Sequence, residues 1–226
     1  MFGIISAMQE EVQALLHELK NISTTEKGKR IYYSGELFNK KVVIVFSRWG
    51  KVASAATTTQ LINDFDLDEI IFTGVAGAIN KSLNIGDVVI GKHLYQHDLD
   101  ARPFYKQFEI PILKKNFLTT KNSNDLISAS NSFFNQYNNF IKASEAKEFS
   151  ITNPKTVYGD IASGDKFISS LEKISKLNQQ VPTAICVEME GASVAQICYE
   201  YDVPFSIIRI ISDKANDNAT IDFSRL

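Results

Sequence analysis

The chain has 226 residues, of which 44% are hydrophobic and 22% are charged, a composition typical of folded globular proteins rather than disordered ones. Its 24 basic and 26 acidic side chains give a formal net charge of −2, so charge does not favour a nucleic-acid or anionic-membrane partner. No apolar run approaches the ~20 residues that span a bilayer, and the N-terminus MFGIISAMQEEVQ lacks the basic region of a signal peptide. We therefore expect a cytoplasmic enzyme or binding protein, with Cys186 and Cys198 reduced and packed in the core.

The first half of the chain alternates short apolar runs with helical patterns. Met8, Val12, Leu15 and Leu19 recur at helical spacing, and a small-residue helix follows Gly50. The predicted elements of this half are strand Phe2–Ser6, helix Met8–Leu19, strands Ile31–Leu37 and Lys41–Ser47 joined by a tight turn at Phe38-Asn39-Lys40, the helix after Gly50, strand Glu69–Thr73, the turn Gly74–Ala78, and a strand from Asp87 to Gly91 that continues irregularly to Asp100.

The second half repeats the alternation after an Asn- and Ser-rich stretch. Its predicted elements are a surface helix within Asn122–Phe140, strand Thr156–Ser163, a helix near Phe167–Leu177, strand Thr183–Val187, helix Glu190–Tyr201 and strand Phe205–Ile211. Such alternation predicts an α/β fold, a single domain with a central mixed, mostly parallel sheet flanked by helices.

Acidic side chains follow three of these strands. They lie in Gln9-Glu10-Glu11, in Glu188-Met189-Glu190 and in Ser212-Asp213. Because ligands collect at the carboxyl ends of strands in open α/β sheets, we expect the three strand ends to converge on one pocket suited to general acid–base chemistry. Each acid alone also has a structural interpretation: carboxylates stabilise the first turn of a helix, and Ser212-Asp213 is typical of a helix N-cap or a turn.

The remaining motifs are weaker. Gly74-x-x-Gly77 after a strand permits close approach of a ligand but lacks the spacing of a dinucleotide site. His17, His93 and His97 show no metal-ligand spacing. Trp49 and Phe104 either line a pocket or are ordinary packed aromatic residues.

Seven segments together resemble a known family. They are GIISAMQEEV (3–12), SRWGKVASA (47–55), TGVAGA (73–78), QHDLDARPF (96–104), SGDKFI (163–168), VEMEGASVA (187–195) and RIISDKA (209–215). In this order they resemble the bacterial 5′-methylthioadenosine/S-adenosylhomocysteine nucleosidases of the purine nucleoside phosphorylase-like superfamily. The resemblance implies a phosphorylase/hydrolase-like fold that hydrolyses the N-glycosidic bond and releases adenine from a 5′-thio-substituted ribose. It implies no metal and no organic cofactor.

The resemblance also implies roles for the acidic residues. Asp213 matches the general acid that protonates purine N7, with help from Ser212. Glu11 matches the carboxylate that activates the attacking water, with Arg209 near it. Such a pair suits a displacement in which the leaving base is protonated and water attacks an oxocarbenium-like centre.

The other matched positions surround the substrate. Glu190 matches the carboxylate that holds the ribose hydroxyls, and Met189 matches a position beneath the sugar. Phe167 and Ile168 match the adenine positions. The positions around the 5′-alkylthio tail are matched by Met8, Trp49 and Phe223, and Glu188 and Val75 complete the expected binding set. Phe104 matches an aromatic residue contributed by the other subunit of a homodimer.

Departures from the family leave alternatives open. Arg48-Trp49 replaces a pair resembling Gly-Ile in many relatives, and Val75 stands where some carry Ser, which affects the specificity for the 5′ tail. Relatives continue beyond Phe223 into a C-terminal helix, so we expect a single nucleosidase domain over residues 1–226 that lacks this helix. The alternatives are the same hydrolysis of 6-amino-6-deoxyfutalosine or 5′-deoxyadenosine, a purine nucleoside phosphorylase, and a non-catalytic nucleoside-binding protein. Phosphate beside Gln9-Glu10-Glu11 is electrostatically unfavourable.

Overall fold

The strands of the computed structural model, which describes residues 1–121 and 123–215, form one mixed sheet. They are β1 (Phe2–Ser6), β2 (Lys20–Lys27), β3 (Arg30–Leu37), β4 (Lys40–Phe46), β5 (Glu69–Ala78), β6 (Val88–Gln96), β7 (Leu118–Thr119), β8 (Thr156–Ser163), β9 (Ala184–Glu188) and β10 (Phe205–Asp213). The helices are α1 (Gln13–Glu18), α2 (Lys51–Asp64), α3 (Ser123–Phe134), α4 (Ala143–Glu148), α5 (Leu171–Gln180) and α6 (Gly191–Glu200), with 3₁₀ turns at Glu10–Val12 and Tyr137–Asn139.

The strand pairings close a circuit through β5, β9, β8, β6 and β10. One parallel set contains β4, β1, β5 and β10, and a second contains β6, β8 and β9. The two sets run antiparallel where they meet, at β6–β10 and at β5–β9, where Gly77 pairs with Val187. The ends of β5 and β9 therefore overlap, which brings the carboxyl ends of both sets to one place. The predicted α/β domain with a mixed sheet flanked by helices is confirmed.

Two helices with small residues flank the region where the strand sets meet. The first five residues of α6 are buried, and Ala192 and Ala195 let it lie close to the sheet. α2 packs beside α6, with the hydroxyls of Ser54 and Ser193 2.5 Å apart. Both helices begin at the same end of the molecule as the overlapping strand ends, because Gly50 and Glu190 are their N-caps and hydrogen bond to each other.

The predicted boundaries differ from the structure most in the N-terminal third. A 3₁₀ turn precedes the helix predicted from Met8, which begins as α-helix only at Gln13. The strand β2 was not predicted because its sequence KNISTTEK is polar, and it is exposed along its whole length at the sheet edge. The β3–β4 turn is confirmed, with Phe38 and Asn39 at positive φ.

Two strands run further than predicted. The predicted turn Gly74–Ala78 is wrong, because this segment continues β5 and pairs with β10 and β9. Ser212-Asp213 is neither an N-cap nor a turn, because both residues belong to β10.

The helix predicted near Phe167 begins at Leu171, capped by the Ser170 hydroxyl, which leaves Phe167 in a loop. Within the described ranges, no helix is both long and apolar enough to cross a membrane.

Candidate active site

A cleft opens where the strand ends overlap, and a concave site that combines apolar side chains with a few convergent polar groups is typical of binding sites for small organic ligands. Its lining comes from the segments after β1, β4 and β8, from the end of β5, from the β9–α6 junction and from the end of β10. The lining residues are Ala7, Met8, Glu11, Trp49, Val75, Ala76, Gly77, Lys166, Phe167, Ile168, Val187, Glu188, Met189, Glu190, Ser212 and Asp213.

The predicted convergence of acidic strand ends is confirmed, since Glu11, Glu190 and Asp213 line this one cleft. The other predicted residues that line it are Met8, Trp49, Val75, Phe167, Ile168, Glu188, Met189 and Ser212. Sequence reasoning missed Lys166, although it lies inside the quoted SGDKFI segment. It also missed Ala7, Ala76 and Val187, which are small or apolar residues with no chemical signal of their own. Gly77, noted in the sequence as a point where a ligand can approach closely, does line the cleft.

The carboxylate of Glu11 is fixed by donors from two strand ends. Its Oε2 accepts the backbone N–H groups of Ala7 and Met8, both at 3.0 Å, and the Ser6 hydroxyl. Its Oε1 accepts the Val75 N–H at 3.1 Å. Four donors thus hold one carboxylate in a single orientation at the wall of the cleft, a geometry that suits a group that must meet a water molecule at a defined position.

Asp213 lies at the end of β10, opposite Gly77 of β5. Its Oδ2 accepts the Ser212 hydroxyl at 2.8 Å, its Oδ1 accepts the Ala215 N–H at 2.6 Å, and the residue is 2% exposed. A register shift between Ile211 and Asp213 breaks the regular pairing there, and such bulges re-aim side chains. A Cβ on Gly77 would lie 2.9 Å from Asp213 Oδ1, so the missing side chain makes room for the carboxyl group.

A buried ion pair joins the lining residue Glu188 to Arg209, which is not a lining residue. Arg209 Nη2 donates to Glu188 Oε2 at 2.7 Å, and the side chains are 2% and 3% exposed. The guanidinium also lies 4.0 Å from the centre of the Phe72 ring. Glu188 further accepts the backbone N–H groups of Glu190 and Gly191 and the Ser163 hydroxyl. The positive charge of Arg209 is thus balanced by a carboxylate that shapes the start of α6.

Glu190 is a buried carboxylate with one strong donor. Its Oε1 accepts the Gly50 N–H at 2.7 Å, and the residue is 6% exposed. Burial, and next the neighbouring charge of Glu188, raise the pKa of Glu190 to about 7, against the lowering effect of the Gly50 N–H and Arg209. Glu190 thus exchanges its proton near neutral pH, which suits a group that binds hydroxyl ligands.

Aromatic and apolar side chains form the mouth of the cleft. Trp49 is 58% exposed and Phe167 39% exposed, and both face the cleft together with Met8 and Ile168. Large exposed rings at the rim of an acidic cleft provide surface against which a flat or apolar ligand packs.

Two predicted residues in the described part of the chain, Arg209 and Phe104, do not line the cleft. Phe104 lies in the loop after β6 and is 88% exposed. Within this chain it is therefore available to another molecule rather than to its own cleft. Phe223 lies outside the described residues.

The fold and the acidic cleft are typical of an α/β enzyme that acts on a small ligand. A family model described as the phosphorylase superfamily matches residues 1–225. A 5′-methylthioadenosine/S-adenosylhomocysteine nucleosidase of Staphylococcus aureus (strain bovine RF122 / ET3-1) is 40% identical over 224 residues, 99% of this chain and 90% of that protein.

Solved structures agree with this assignment. A 5′-methylthioadenosine/S-adenosylhomocysteine nucleosidase from Colwellia psychrerythraea 34H, crystallised with adenine, has a TM-score of 0.86 and 34% identity, covering 99% of this chain and 86% of that one. A futalosine hydrolase of Helicobacter pylori strain 26695 has a TM-score of 0.82 and 34% identity, covering 99% and 89%. The chain belongs to the phosphorylase superfamily and, within it, to the 5′-methylthioadenosine/S-adenosylhomocysteine nucleosidases, which are N-ribosyl hydrolases.

Proposed function

We propose that this enzyme hydrolyses the N-glycosidic bond of 5′-methylthioadenosine and S-adenosylhomocysteine and releases adenine. The observation that carries the proposal is the meeting of Glu11, Glu190 and Asp213 in one cleft with an aromatic mouth. Relatives named for these two substrates, at 40% identity, supply the substrate class.

In the proposed mechanism Asp213 is the general acid. A protonated Asp213 donates to purine N7, so that the base leaves as neutral adenine and the electron pair of the C1′–N9 bond goes to the base. The Ser212 hydroxyl at 2.8 Å and the Ala215 N–H at 2.6 Å hold the carboxyl group in place. General acid catalysis of this kind typically contributes ~10²–10⁴-fold.

Glu11 is the proposed general base. Its carboxylate takes a proton from a water molecule while the water oxygen forms the new bond to C1′ of the ribose. Glu190 accepts hydrogen bonds from the ribose hydroxyls, and its negative charge stabilises the positive charge that develops on the sugar. Phe167 and Ile168 bind the adenine, and Met8, Met189, Trp49 and Val75 pack against the sugar and its 5′ tail. Phe223 is proposed to join them at the tail.

The charges of the described lining favour water over phosphate as the nucleophile. Four carboxyl groups, those of Glu11, Glu188, Glu190 and Asp213, line the cleft with one ammonium group, that of Lys166. Glu188 is paired with Arg209 at 2.7 Å, so neither of these two groups is free to bind an anion, and among the described residues Glu11 and Glu190 are carboxylates without such a counter-ion. A phosphate dianion beside Glu11 would be repelled, so we infer hydrolysis rather than phosphorolysis.

We further propose a cytoplasmic homodimer in which Phe104 closes the neighbouring cleft. Phe104, Val52 and Ile112 are each more than 80% exposed, which is unusual for large apolar side chains on a monomer. The loop that carries Phe104 is tied to the start of α2, next to Trp49, by the Lys51–Asp98 ion pair. We propose that Trp49, Val52 and Phe104 contribute to one apolar face that pairs with its symmetry mate.

The test is adenine release in phosphate-free buffer, followed by chromatography, in water enriched in oxygen-18. We expect release from 5′-methylthioadenosine and S-adenosylhomocysteine, with the label on C1 of the ribose product. Glu11→Gln should abolish turnover but still bind substrate, because the amide has nearly the same shape. Preferred cleavage of 6-amino-6-deoxyfutalosine or 5′-deoxyadenosine would favour the activity for which the futalosine hydrolase relative is named. A requirement for phosphate, or binding without release, would contradict the proposal.

A further inference from the structure

Lys51, Asp98 and Asp165 form a closed ring of hydrogen bonds beside the cleft. Lys51 Nζ donates to Asp98 Oδ1 at 2.6 Å, and the Asp165 N–H donates to Asp98 Oδ2 at 2.9 Å. The Lys51 N–H closes the ring by donating to Asp165 Oδ1 at 2.8 Å. The ring thereby joins three separate segments, namely the start of α2, the loop after β6 and the loop after β8.

We propose that this ring is a positioning device that sets two parts of the cleft at once. One part is the loop that carries Phe167 and Ile168, two and three residues beyond Asp165. The other is the Gly50 N–H that binds Glu190. Which groups of the ligand bind to these two parts of the cleft depends on the proposed function. The hydrogen bonds of the ring do not depend on it.

The ring acts on Glu190 through two consecutive peptide groups. The first N–H groups of a helix have no partner within the helix, and at the start of α2 both donate to carboxylates. The Gly50 N–H binds Glu190 at 2.7 Å, and the Lys51 N–H binds Asp165 at 2.8 Å. Because a peptide unit is planar and leaves few soft angles, fixing one N–H limits the direction of the next. Gly50 has φ 90°, and a Cβ there would lie 3.0 Å from Asp165 Oδ1, so the close approach requires glycine.

The ring also acts on the loop after β8. The Gly164 N–H donates to the Glu188 carbonyl at 3.1 Å, which holds the first residue of the loop. Lys173 Nζ reaches the Phe167 carbonyl only at 3.3 Å. The bond from the Asp165 N–H to Asp98 is therefore the tightest of these three attachments. A misplacement of about 1 Å in a binding group can cost ~10²-fold in rate.

The ring is protected and charged. The side chains of Lys51 and Asp98 are 17% and 21% exposed, and Lys51 Nζ also donates to Gln96 Oε1 at 3.3 Å. Burial alone would raise the pKa of Asp98, but the Lys51 ammonium and the Asp165 N–H outweigh it and hold that pKa below its ordinary value. Asp98 is thus ionised at neutral pH, and its bonds are charge-assisted, which makes them stronger than neutral ones.

The first experiment measures steady-state adenine release by three variants. Lys51→Met removes the charge and keeps most of the apolar stem, Lys51→Arg restores a cation, and Lys27→Met is the matched control. Lys27 pairs with Asp64 at 2.7 Å at the opposite end of the same helix. We expect Lys51→Met to raise KM about tenfold and to leave kcat within about threefold of the wild-type value. A tenfold change in KM corresponds to the loss of one charge-assisted hydrogen bond. Lys51→Arg should recover most of the change, and Lys27→Met should leave both constants unchanged.

The second experiment does not depend on turnover. Amide hydrogen exchange should become about tenfold faster in Lys51→Met over residues 49–51 and 163–168 but remain unchanged in Lys27→Met. Trp49 is the single tryptophan of the sequence, so its emission reports on the start of α2 directly. If Lys51→Met does not fold, Asp98→Asn removes the same charge pair in a side chain of equal shape, with the same expectation.

The pH dependence of ligand binding distinguishes a ring that positions the Gly50 N–H against Glu190 from a ring that only stabilises the fold. Weakening the Gly50 N–H bond removes a contact that favours ionised Glu190, so in Lys51→Met the pH midpoint of ligand binding should move upward. The other charged groups that act on Glu190 are Glu188 beside it, Arg209 from β10 and Glu11 from the segment after β1, and the substitution leaves them in place. Unchanged KM and exchange in Lys51→Met, or equal changes in Lys27→Met, would overturn the proposal. A wild-type enzyme without adenine release would instead contradict the proposed function, and the exchange experiment would still decide on the ring.

Discussion

Asp213 is the residue on which the proposed chemistry depends most directly. An amide cannot donate a proton with the acidity of a carboxylic acid, so we expect Asp213→Asn to lower kcat by ~10²–10⁴-fold. The exchange keeps the shape of the side chain, its amide oxygen can still accept the Ala215 N–H, and its NH2 group can donate to the Ser212 hydroxyl oxygen, so the fold should survive. Single-turnover adenine release measures the effect, and titration with adenine shows whether the cleft is intact. A kcat near that of the wild type would reject Asp213 as the acid.

The raised pKa of Glu190 predicts that the stability of the protein falls as the pH rises. Its pKa is raised from 4.5 to about 7 by burial and by Glu188, so the folded protein binds more protons than the unfolded one in this range. Stability from this group is complete below pH 4.5 and is lost as the pH rises through 7, by on the order of 3 kcal/mol. Glu190→Gln removes the effect, and the variant should therefore gain stability relative to the wild type between pH 5 and pH 8.

Denaturant unfolding of wild type and Glu190→Gln at pH 5 and pH 8 measures this difference in stability. Ligand binding over the same pH range tests the functional role of Glu190. Ionised Glu190 is the better acceptor for ribose hydroxyls, so wild-type affinity for a nucleoside should rise as the pH rises through 7. In Glu190→Gln the affinity should be weaker and independent of pH over this range. A parallel pH dependence of stability in both proteins would show that another group titrates.

At the scale of elements, β5 and β10 lie so close together at Gly77 and Asp213 that an added methyl group should displace the Asp213 carboxyl group. In Gly77→Ala the new Cβ would meet Asp213 Oδ1 at 2.9 Å and Ala215 Cβ at 3.0 Å, so the carboxyl group must move. We expect kcat to fall about 10²-fold with the fold retained. Gly91→Ala on β6 is the matched control, because its Cβ would meet Ile161 and Ile207 at 3.2 and 3.4 Å, in the core.

Steady-state kinetics and thermal unfolding of both glycine variants distinguish the two effects. Gly91→Ala should lower stability without changing kcat per folded molecule. Equal losses of kcat in the two variants would mean that Gly77 has no special relation to Asp213.

The elements also show which parts of the molecule the sequence predicts. The strand–helix alternation predicts the α/β fold, and acids after strand ends predict the cleft, because both signals are local. The continuation of β5 through Gly74–Ala78 depends on pairing with β10 more than 130 residues away, which no local pattern records. The same is true of β2, whose polar sequence forms a strand only because β3 provides an edge. The ring of Lys51, Asp98 and Asp165 was missed for this reason as well.

At the scale of the whole molecule, the proposed homodimer makes each cleft depend on two chains. Phe104 is 88% exposed, and burying such a ring against a partner is worth about 1.5–3 kcal/mol. We therefore expect light scattering to give a dimer for the wild type. We expect Phe104→Ala to raise KM for 5′-methylthioadenosine about tenfold, with a smaller effect on kcat, because the ring is proposed to contact the tail and not the reacting atoms. Phe38→Ala is the matched control, since Phe38 is 75% exposed in the β3–β4 turn and should leave KM and assembly unchanged. A fully active monomer would contradict both the assembly and the role of Phe104, whereas a dimer with unchanged KM in Phe104→Ala would contradict the role alone.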